Sequence, residues 1–563
     1  MYSIARNVPI VISLLKEHGI NQLILSPGGT NAAFVRGVQE DPFFTCYSVV
    51  DERSALYFAI GIYLASGNPV AVCCTSAQAT RNYIPGLTEA FYKHVPILAI
   101  TFSKHPQYTY QEYMQAPDQT SLPRDAVRAS YSLPYVSNEH DRLLCERLVN
   151  EAILDLTHRI PAPIQLNIPM LDTELTQDTE SALPTAKVIR RYSVNDLTKV
   201  RNISHKKILI VVGENRGIDD SSLVNFASSS NTAIYVNHLS NMQNEYTVHG
   251  NLLLSCISQQ SFDEFLCPDI LITIGGQIGD YPLYHKLAES KNKYEHWRIS
   301  NKGDIVDTYD HLTAVFECST DEFFKTIKPS SSSKSYLDKW KTLAEKYSTD
   351  EALPLSAAYV AQQMSKLIPE GSYVNFSIHN SLRVWNLFQF KNRVNCFCNV
   401  GAFGIDGCMS TFLGQSVIAQ NLCFLFIGDL SFYYDMNSLG IRHIKNNVRI
   451  ILINNNGGME FKYGSSTEKK KQIDEYIAAA GHFRDAKGWA LTNEFEYYSI
   501  NDTESFHAIK ELLISESAKP ILVEVFVSDT DENKAYSILR KREDNRPLMR
   551  KIIERVRDEL NQL

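Results

Sequence analysis

Two consecutive stretches of the sequence decide the fold: Ile427-Gly-Asp-Leu-Ser-Phe-Tyr-Tyr-Asp-Met-Asn-Ser-Leu439 and Val448-Arg-Ile-Ile-Leu-Ile-Asn-Asn-Asn-Gly-Gly458. Their apolar runs predict two buried strands joined by a helical crossover. Because the carboxyl ends of parallel strands meet at one edge of a sheet, Asp429 and the asparagines are expected side by side. Carboxylate, amide and main-chain oxygens suit Mg²⁺ that also binds phosphate, and Gly428 lets a phosphate approach the backbone. A strand-end turn with capping asparagines is the structural alternative.

The same alternation of strand and helix patterns extends along the chain, which predicts an α/β fold of parallel sheets flanked by helices. Two polar stretches, 171–185 and 329–334, are typical of linkers and divide the chain into three predicted modules. The charged segment 534–563 has apolar residues at helical spacing and predicts a C-terminal helix. The modules are predicted at residues 1–172, 186–328 and 335–563, and their strands at residues 22–26, 44–50, 70–75, 95–101, 164–168, 207–213, 269–276, 422–427, 448–453 and 520–527.

Composition narrows the class of protein. The 563 residues carry a net charge of −8, with 44% hydrophobic and 21% charged residues. These values predict a globular protein that binds neither nucleic acid nor an anionic membrane surface. The 11 cysteines are scattered without a CxxC pair, which predicts reduced thiols and a cytoplasmic location. No apolar run is long enough to span a membrane, and Val8–Leu15 is interpreted as a first helix ending at Gly19.

Two further motifs carry candidate site residues. Val49-Val-Asp-Glu-Arg-Ser-Ala-Leu56 lies between a predicted strand and a predicted helix. Helix capping by Asp51, with Glu52 in the first turn, explains this acidic pair without any catalytic role. Asn399-Val-Gly-Ala-Phe-Gly-Ile-Asp-Gly-Cys-Met-Ser-Thr411 contains a Gly-x-x-Gly turn, which alone is a weak signal. Together in one chain, the three motifs indicate a functional site more strongly than any one of them does alone.

In combination, the motifs resemble the thiamine-diphosphate-dependent enzymes, whose metal–diphosphate motif reads Gly-Asp-Gly followed by Asn-Asn. Leu430 departs from the third position of that motif. Gly-Asp-Leu with three asparagines nevertheless resembles the branch of the family that acts in menaquinone biosynthesis. Ser26-Pro-Gly28, Cys74-Thr-Ser76, Asn82-Tyr-Ile-Pro85 and Met114-Gln-Ala-Pro-Asp-Gln119 resemble the same branch in order and spacing. The resemblance implies a pyrimidine-binding first module, a central module and a diphosphate-binding last module.

The resemblance also assigns roles by position, with thiamine diphosphate and Mg²⁺ as cofactors. Glu52 would hydrogen-bond to the aminopyrimidine ring and so activate the thiazolium carbon. Ile405 would hold the two cofactor rings in their bent geometry. Asp429, Asn456 and the Gly458 carbonyl would bind Mg²⁺. Gln115 would lie near the reacting carbon, although a solvated loop glutamine is its alternative interpretation. The remaining implied cofactor-binding residues are Thr75, Ser76, Asn380, Ser381, Gly404, Asp406, Gly428, Leu430 and Ser431.

Departures from the branch concern its substrate-binding arginines. By the resemblance, three of these arginines fall at Thr30, Val400 and Trp385 in this chain. Because arginine forks bind carboxylates in pairs, losing three predicts a substrate different from the multi-anionic one of the branch. Lys104 and Arg383 are candidate replacements, together with Gln115 and Thr30 as substrate residues. Arg383 has a surface ion pair as its alternative interpretation.

The predicted function is therefore decarboxylation of a small-molecule 2-oxo acid with transfer of the acyl carbanion equivalent to an acceptor. The alternatives are the reaction of the menaquinone branch itself, with Lys104, Arg383 or Arg393 replacing the arginines, and simple decarboxylation. An inactive cofactor-binding scaffold is disfavoured because Glu52 and Asp429 are both present. In the family, these two residues meet across a subunit interface, which predicts a homodimer or a dimer of dimers.

Overall fold

A computed structural model describes the chain except residues 1, 4, 5, 172–178, 181, 201–202, 216–219, 332, 349, 464–472 and 541–563. It forms two compact units. The N-terminal unit comprises Met1–Tyr192 with Gly303–Val315, and the C-terminal unit comprises Ser193–Lys302 with Phe316–Leu563. The α/β fold with three parallel sheets is confirmed, whereas the boundaries of the three modules stay a prediction. Within the described residues, no helix combines the length and apolarity needed to cross a membrane.

The N-terminal unit contains a six-stranded parallel sheet. Its four central strands are almost entirely buried, as expected for strands covered by helices on both faces. In sheet order, the strands are Thr45–Ser48, Gln22–Leu25, Val70–Cys74, Ile97–Lys104, Ile164–Met170 and Ala129–Ser132, and the helices are Asn7–Glu17, Ala32–Gln39, Glu52–Ser66, Gln78–Asn82, Ile84–Tyr92 and Glu139–Asp155. Tyr2–Ser3 pairs antiparallel with Thr179–Glu180, and Pro106–Tyr108 forms a 3₁₀ turn.

The first sheet of the C-terminal unit is built from residues 208–299. Its five parallel strands, in sheet order, are Thr247–His249, Thr232–Val236, Ile208–Val212, Ile270–Ile274 and Glu295–Ile299. Two more strands, Arg190–Ser193 and Leu312–Glu317, lie at the division of the chain between the units. The helices of this part are Ser221–Ser228, Asn251–Cys256, Gln259–Phe265, Tyr281–Ala288, Thr320–Thr326 and Ser335–Tyr347, with 3₁₀ turns at Val194–Lys199 and His238–Ser240.

The second sheet of the C-terminal unit has six parallel strands. In sheet order, they are Asn395–Cys398, Tyr373–Phe376, Cys423–Gly428, Val448–Asn454, Ile521–Phe526 and Glu496–Ile500. The helices are Ala357–Met364, Asn380–Trp385, Cys408–Ile418, Asp429–Tyr434, Lys487–Thr492, Thr503–Ile509 and Asp529–Leu539, with 3₁₀ turns at Met436–Gly440, Met459–Phe461 and Leu512–Ile514.

The strand Val448–Asn454 shows why this second sheet is buried on both faces. Ile451 and Ile453 pack in one hydrophobic cluster, and Ile450 and Leu452 pack in another. Successive side chains of a strand point to opposite faces, so an unbroken apolar run fills two cores at once. The polar residues that follow such a run are therefore left at the carboxyl edge of the sheet.

The sequence predictions of single elements are confirmed where the structure describes them. Each of the ten predicted strands is present, within a few residues at its ends, and the first helix is Asn7–Glu17. The predicted linker 329–334 is anchored to the unit, since Lys334 Nζ donates to the carbonyls of Ala227 and Ser228. Of the predicted linker 171–185, residues 172–178 and 181 lie outside the described residues. The predicted C-terminal helix overlaps Asp529–Leu539, and its part beyond residue 540 lies outside them as well.

Candidate active site

Asp429 lies where the motifs predict, at the carboxyl end of the strand Cys423–Gly428 and at the start of a short helix. Its side chain is 2% exposed. The Oδ2 atom accepts hydrogen bonds from the backbone N–H groups of Asn455 at 3.0 Å and Gly457 at 3.1 Å. These two residues follow the neighbouring strand Val448–Asn454. The two parallel strand ends therefore meet through a buried carboxylate.

His482 is a further partner of Asp429 that the sequence did not single out. Its Nδ1 atom accepts from the N–H of Arg484 at 3.0 Å, so Nε2 carries the proton and donates to Asp429 Oδ2 at 3.1 Å. Burial raises the pKa of Asp429, while the bonds from His482 and from the N–H of Leu430 oppose that rise. Burial makes the ionised form of Asp429 unfavourable unless a positive charge lies next to the carboxylate.

A cavity of about 310 Å³ opens beside Asp429 within the C-terminal unit. Its walls are mainly apolar, with contributions from Val384, Trp385, Phe426 and Ile477. Apolar walls with a few convergent polar groups are typical of small-molecule sites. The cavity brings together eight of the predicted site residues, namely Asn380, Ser381, Ile405, Gly428, Asp429, Leu430, Ser431 and Gly458.

The asparagine that faces this cavity is Asn455, whereas the predicted metal ligand Asn456 is not among its lining residues. Among the described residues, nothing hydrogen-bonds to the buried Oδ1 atom of Asn455. Asn456 instead takes a left-handed conformation, with φ of 57°, and its carbonyl accepts from the N–H of Gly481. An unpaired buried amide oxygen beside a buried carboxylate is a donor set that a hard divalent cation would satisfy.

Gly457 and Ser431 fix the turns around the cavity. Gly457 has φ of 154°, and a Cβ atom there would lie 2.8 Å from the Ala478 carbonyl oxygen, so only glycine fits. Ser431 Oγ donates to the carbonyl of Ile405 at 2.7 Å, which ties the predicted diphosphate turn to the helix that begins at Asp429. Gly404 and Asp406, from the same turn, do not line the cavity.

Arg383 is an ion-pair partner, in line with its alternative interpretation. Its Nη1 atom pairs with Glu460 Oε1, and Glu460 also lies 3.2 Å from His379 Nδ1. Glu460 and His379 line the cavity but Arg383 does not. Arg393 lines a different cavity, next to His249. Within the described part of the C-terminal unit, neither arginine thus faces the cavity as a free cation.

Glu52 begins the helix Glu52–Ser66 in the N-terminal unit, directly after its N-cap Asp51. The Asp51 side chain accepts from the N–H of Arg53, so the capping interpretation of this acidic pair is confirmed. Glu52 itself is half-buried, and its Oε2 atom accepts from Asn82 Nδ2 at 3.1 Å. Asp51 is thus the residue that caps the helix, and the Glu52 carboxylate lies beside it at the carboxyl edge of the N-terminal sheet.

Thr30, Thr75 and Ser76 form one hydrogen-bonded junction in the N-terminal unit. Thr30 Oγ1 lies 2.6 Å from Thr75 Oγ1 and accepts from the N–H of Ser76 at 3.0 Å. Thr30 is 4% exposed, so its hydroxyl joins two strand ends and is used structurally. Gly28 completes the junction, because a Cβ atom there would lie 2.2 Å from Thr75 Cβ.

Gln115 and Lys104 occupy the same edge of the N-terminal sheet. Gln115 is exposed, with φ of 59°, in a loop where Tyr110 and Glu112 also have positive φ values. Such values are disfavoured for side chains other than glycine and mark a loop held in an unusual conformation. Lys104 ends the strand Ile97–Lys104 and is half-buried.

Comparison with known proteins identifies the class of enzyme to which this chain belongs. Residues 8–122 match the N-terminal TPP-binding domain of thiamine pyrophosphate enzymes. With parallel α/β sheets and polar residues at their carboxyl edges, the chain is by class a thiamine-diphosphate-dependent enzyme. More narrowly, it belongs to the family of the 2-succinyl-5-enolpyruvyl-6-hydroxy-3-cyclohexene-1-carboxylate synthases. The predicted cofactors, thiamine diphosphate and a divalent metal ion, are confirmed by this membership.

Relatives with that synthase name cover almost the whole chain. The chain is 33% identical to the one from Bacteroides thetaiotaomicron, over 96% of this chain and 98% of the relative. It is 34% identical to the one from Phocaeicola vulgatus over the same shares. A more distant relative, from Desulfotalea psychrophila, is 28% identical over 91% of this chain and 96% of its own length.

Sequence reasoning missed four residues of the site: Asn455, Gly457, Glu460 and His482. Asn455 and Gly457 lie within the quoted motif, but the strand ends at Asn454, so its alternation does not tell which asparagine faces the cavity. Glu460 and His482 follow in the loop after the strand, where no periodic pattern marks a side chain. Only their hydrogen bonds reveal them.

Proposed function

We propose that this protein is a thiamine-diphosphate- and Mg²⁺-dependent carboligase that decarboxylates a 2-oxo acid and transfers the acyl unit to an acceptor. The observation that carries the proposal is the pair of buried oxygens beside the cavity, the Asp429 carboxylate and the unpaired Asn455 amide. Both suit Mg²⁺ that is shared with a diphosphate group. Simple release of the decarboxylated product is the variant of this reaction that needs no acceptor.

In this proposal, Asp429 and the Asn455 Oδ1 atom bind Mg²⁺, together with a main-chain carbonyl of the Gly457-Gly458 turn. Asn456, the ligand expected from the motif, is replaced by Asn455 because Asn455 is the asparagine on the cavity wall. Ser431 and Ile405 hold the turn against which the cofactor rests, through the bond between their Oγ and carbonyl oxygen.

When bound, thiamine diphosphate supplies a carbon nucleophile and an electron sink for loss of carbon dioxide. Glu52 is proposed to exchange a proton with the aminopyrimidine ring, and Asn82 orients its carboxylate by donating to Oε2. Gln115 is proposed to contact the substrate from its exposed loop. Thr75 and Ser76 would contribute to the pyrimidine side, as the order of the motif suggests.

A homodimer is part of the proposal, because the resemblance implies that Glu52 and Asp429 meet across a subunit interface. The helix that begins at Glu52 exposes Tyr57, Phe58 and Leu64. Exposed large apolar side chains such as Tyr57 and Leu64, which share one face of this helix, are typical of an interface when they lie next to a site. We therefore expect a second copy to cover this helix and to complete the site.

The substrate is proposed to differ from the one named for the relatives. The three positions at which the resemblance places arginines are closed: Thr30, Val400 and Trp385 are 4%, 2% and 3% exposed. Trp385 packs on Phe426, with ring centroids 4.0 Å apart, and so forms an apolar wall. An uncharged wall favours a 2-oxo acid with fewer carboxylates.

The second candidate function is the synthase reaction named for the relatives. Identity of 33% over 96% of this chain favours it. Incubation with isochorismate and 2-oxoglutarate, with product detected by mass spectrometry, separates the two candidates. Product formed at rates comparable to the best 2-oxo acid of a panel would contradict the proposed difference in substrate.

The proposed activity is tested by measuring carbon dioxide release from a panel of 2-oxo acids with thiamine diphosphate and Mg²⁺. Glu52→Gln is expected to lower kcat by about 10²–10⁴-fold, the usual contribution of a positioned acid–base group. Glu89→Gln, which removes a surface charge paired with Lys93, is the control and should leave kcat unchanged. Full turnover in Glu52→Gln would contradict the proposed mechanism.

A cytoplasmic location is proposed on the state of the thiols. All 11 cysteines are free, and all but Cys46 are buried. Free, buried thiols are typical of proteins kept in a reducing compartment.

A further inference from the structure

One wall of the cavity carries a carboxylate besides Asp429. Glu460 lies in the 3₁₀ turn Met459–Phe461, which directly follows the Gly457-Gly458 turn of the metal motif. Its side chain is 20% exposed and lines the cavity. None of the described residues that line the cavity is a lysine or an arginine. Apart from the metal ion proposed at Asp429, a ligand in this cavity therefore meets the negative charge of Glu460 without a facing lysine or arginine from the described part of the C-terminal unit.

Glu460 is held in place from two sides. Arg383 Nη1 pairs with Oε1, and His379 Nδ1 lies 3.2 Å from Oε2. The adjacent guanidinium of Arg383 favours the ionised form of the Glu460 carboxylate. Glu460 is thus a fixed, ionised group at neutral pH.

Arg383 approaches Glu460 from outside the cavity. Its guanidinium stacks on Tyr281, with Cζ 4.2 Å from the ring centroid, and lines two neighbouring cavities instead. The positive charge of Arg383 is consequently shared with Glu460 and an aromatic face. From within the cavity beside Asp429, a substrate carboxylate therefore meets Glu460 and not Arg383.

His379 is fixed by the backbone. It has φ of 59° and ψ of −123°, and it immediately precedes the helix Asn380–Trp385. This conformation is disfavoured for any residue except glycine, so the surrounding fold has to impose it. Asn380 and Ser381, both predicted cofactor-binding residues, follow at once. The positions of His379 and Glu460 are therefore set by the same two segments that form the cavity.

Resting on the proposed function, we propose that Glu460 determines specificity for the 2-oxo acid, by excluding substrates with a second carboxylate and favouring those with a short uncharged chain. Two negative charges brought together in a site with apolar walls repel strongly, because little water screens them. The apolar residues Val384, Trp385 and Ile477 of the same cavity suit an uncharged chain. Glu460 thus acts by repulsion, as many specificity residues do.

The test compares pyruvate with 2-oxoglutarate as substrates of the holoenzyme. Glu460→Gln keeps the shape of the side chain, removes its charge and leaves Arg383 without its counter-ion. We expect the ratio of kcat/KM for 2-oxoglutarate to that for pyruvate to rise about tenfold or more. Asp350→Asn removes one carboxylate from a surface ion pair with Lys366 and is the matched control, with an unchanged ratio. An unchanged ratio in folded, cofactor-binding Glu460→Gln overturns the proposal.

A binding measurement keeps this test separate from the proposed function. Glutarate and butyrate cannot be decarboxylated, and calorimetry on the protein with thiamine diphosphate and Mg²⁺ gives their affinities. We expect Glu460→Gln to bind glutarate about tenfold or more tightly than the unaltered protein does, with little change for butyrate. If the unaltered protein turns over no 2-oxo acid, the proposed function fails, and the glutarate affinities still decide the role of Glu460. Equal glutarate binding by both proteins, or by neither, contradicts that role.

Arg383→Gln is the second variant, and it leaves Glu460 charged without its main partner. The 2-oxoglutarate to pyruvate ratio is expected to stay at or below that of the unaltered protein, because the repulsive charge is retained. A ratio that rises in Arg383→Gln would show that disruption of the cluster, and not its charge, controls specificity. That result would overturn the proposal even if Glu460→Gln did not fold.

Discussion

Single residues at the carboxyl edge of the last sheet carry most of the chemistry. Asp429 is buried, accepts from two backbone N–H groups of the next strand end and is bonded by His482. The two asparagines that follow have different roles: Asn455 faces the cavity, and Asn456 adopts the left-handed backbone conformation of the turn. Both residues lie beyond the end of the strand at Asn454, so the turn, and not strand alternation, determines which of them faces the cavity.

We predict that Asn455→Ala weakens Mg²⁺ binding about tenfold or more, whereas Asn456→Ala changes it much less. The Asn455 amide oxygen is proposed as a direct ligand, and a lost ligand is not replaced by a nearby side chain. Cofactor-dependent quenching of tryptophan fluorescence during Mg²⁺ titration measures the affinity. A larger loss in Asn456→Ala would return the ligand role to the residue expected from the motif. Thermal melting controls for strain, since Asn456 has φ of 57°.

At the scale of elements, a buried polar network in the N-terminal unit holds the loop that carries Gln115. Gln119 Nε2 donates to the Phe102 carbonyl at 2.9 Å and to Asn167 Oδ1 at 3.2 Å. Its Oε1 atom accepts from the N–H of Ala77, which has φ of 67°. One glutamine thereby connects the loop to two central strands and to a strained turn near Thr75 and Ser76.

We predict that Gln119→Leu lowers the free energy of unfolding by about 2–4 kcal/mol, because it leaves several buried groups unpaired. Differential scanning calorimetry would show a lower Tm. Gln107→Leu, an exposed change in the same loop region, is the control and is expected within about 0.5 kcal/mol of the unaltered protein. Equal Tm values for both variants would contradict the anchoring role of Gln119.

Across the C-terminal unit, the buried His238 and the half-buried His249 connect the two sheets. His238 stacks on Phe376 at 5.4 Å, and its Nε2 atom lies 2.8 Å from the Trp385 carbonyl. His249 lies 5.0 Å from His238, measured between ring centroids. Burial lowers the pKa of His238 to about 4 and that of His249 to about 3. Both imidazoles are thus neutral in the folded unit at physiological pH.

We predict that this unit loses stability as the pH falls below 6.5. Between the unfolded pKa of 6.5 and the lowered folded values, the unfolded chain binds more protons than the folded one. Each histidine then costs about 1.4 kcal/mol per pH unit. Tm values at pH 7 and pH 5 measure the loss, which should shrink in His249→Phe. An equal drop in that variant would contradict the assignment.

The whole molecule is expected to work as a dimer, through the exposed helix face that begins at Glu52. Tyr57→Glu combined with Leu64→Glu, seven residues apart on one face of the helix, should halve the molar mass measured by light scattering and abolish turnover, since charges at an apolar interface prevent its burial. Ile160→Glu, which alters an exposed apolar residue elsewhere in the same unit, is the control. A monomeric variant with full turnover would contradict a site completed by a second copy.

The sequence by itself determined the parallel α/β architecture, the strands, the class of enzyme and the position of Asp429. These follow from local signals: apolar runs of strand length, and motif residues placed directly after them. Only the tertiary structure showed which asparagine faces the cavity, that His482 donates a hydrogen bond to Asp429, and that Glu460 forms an ion pair with Arg383. Such contacts join residues distant in sequence, and their geometry depends on how loops fold back, which no local periodicity encodes.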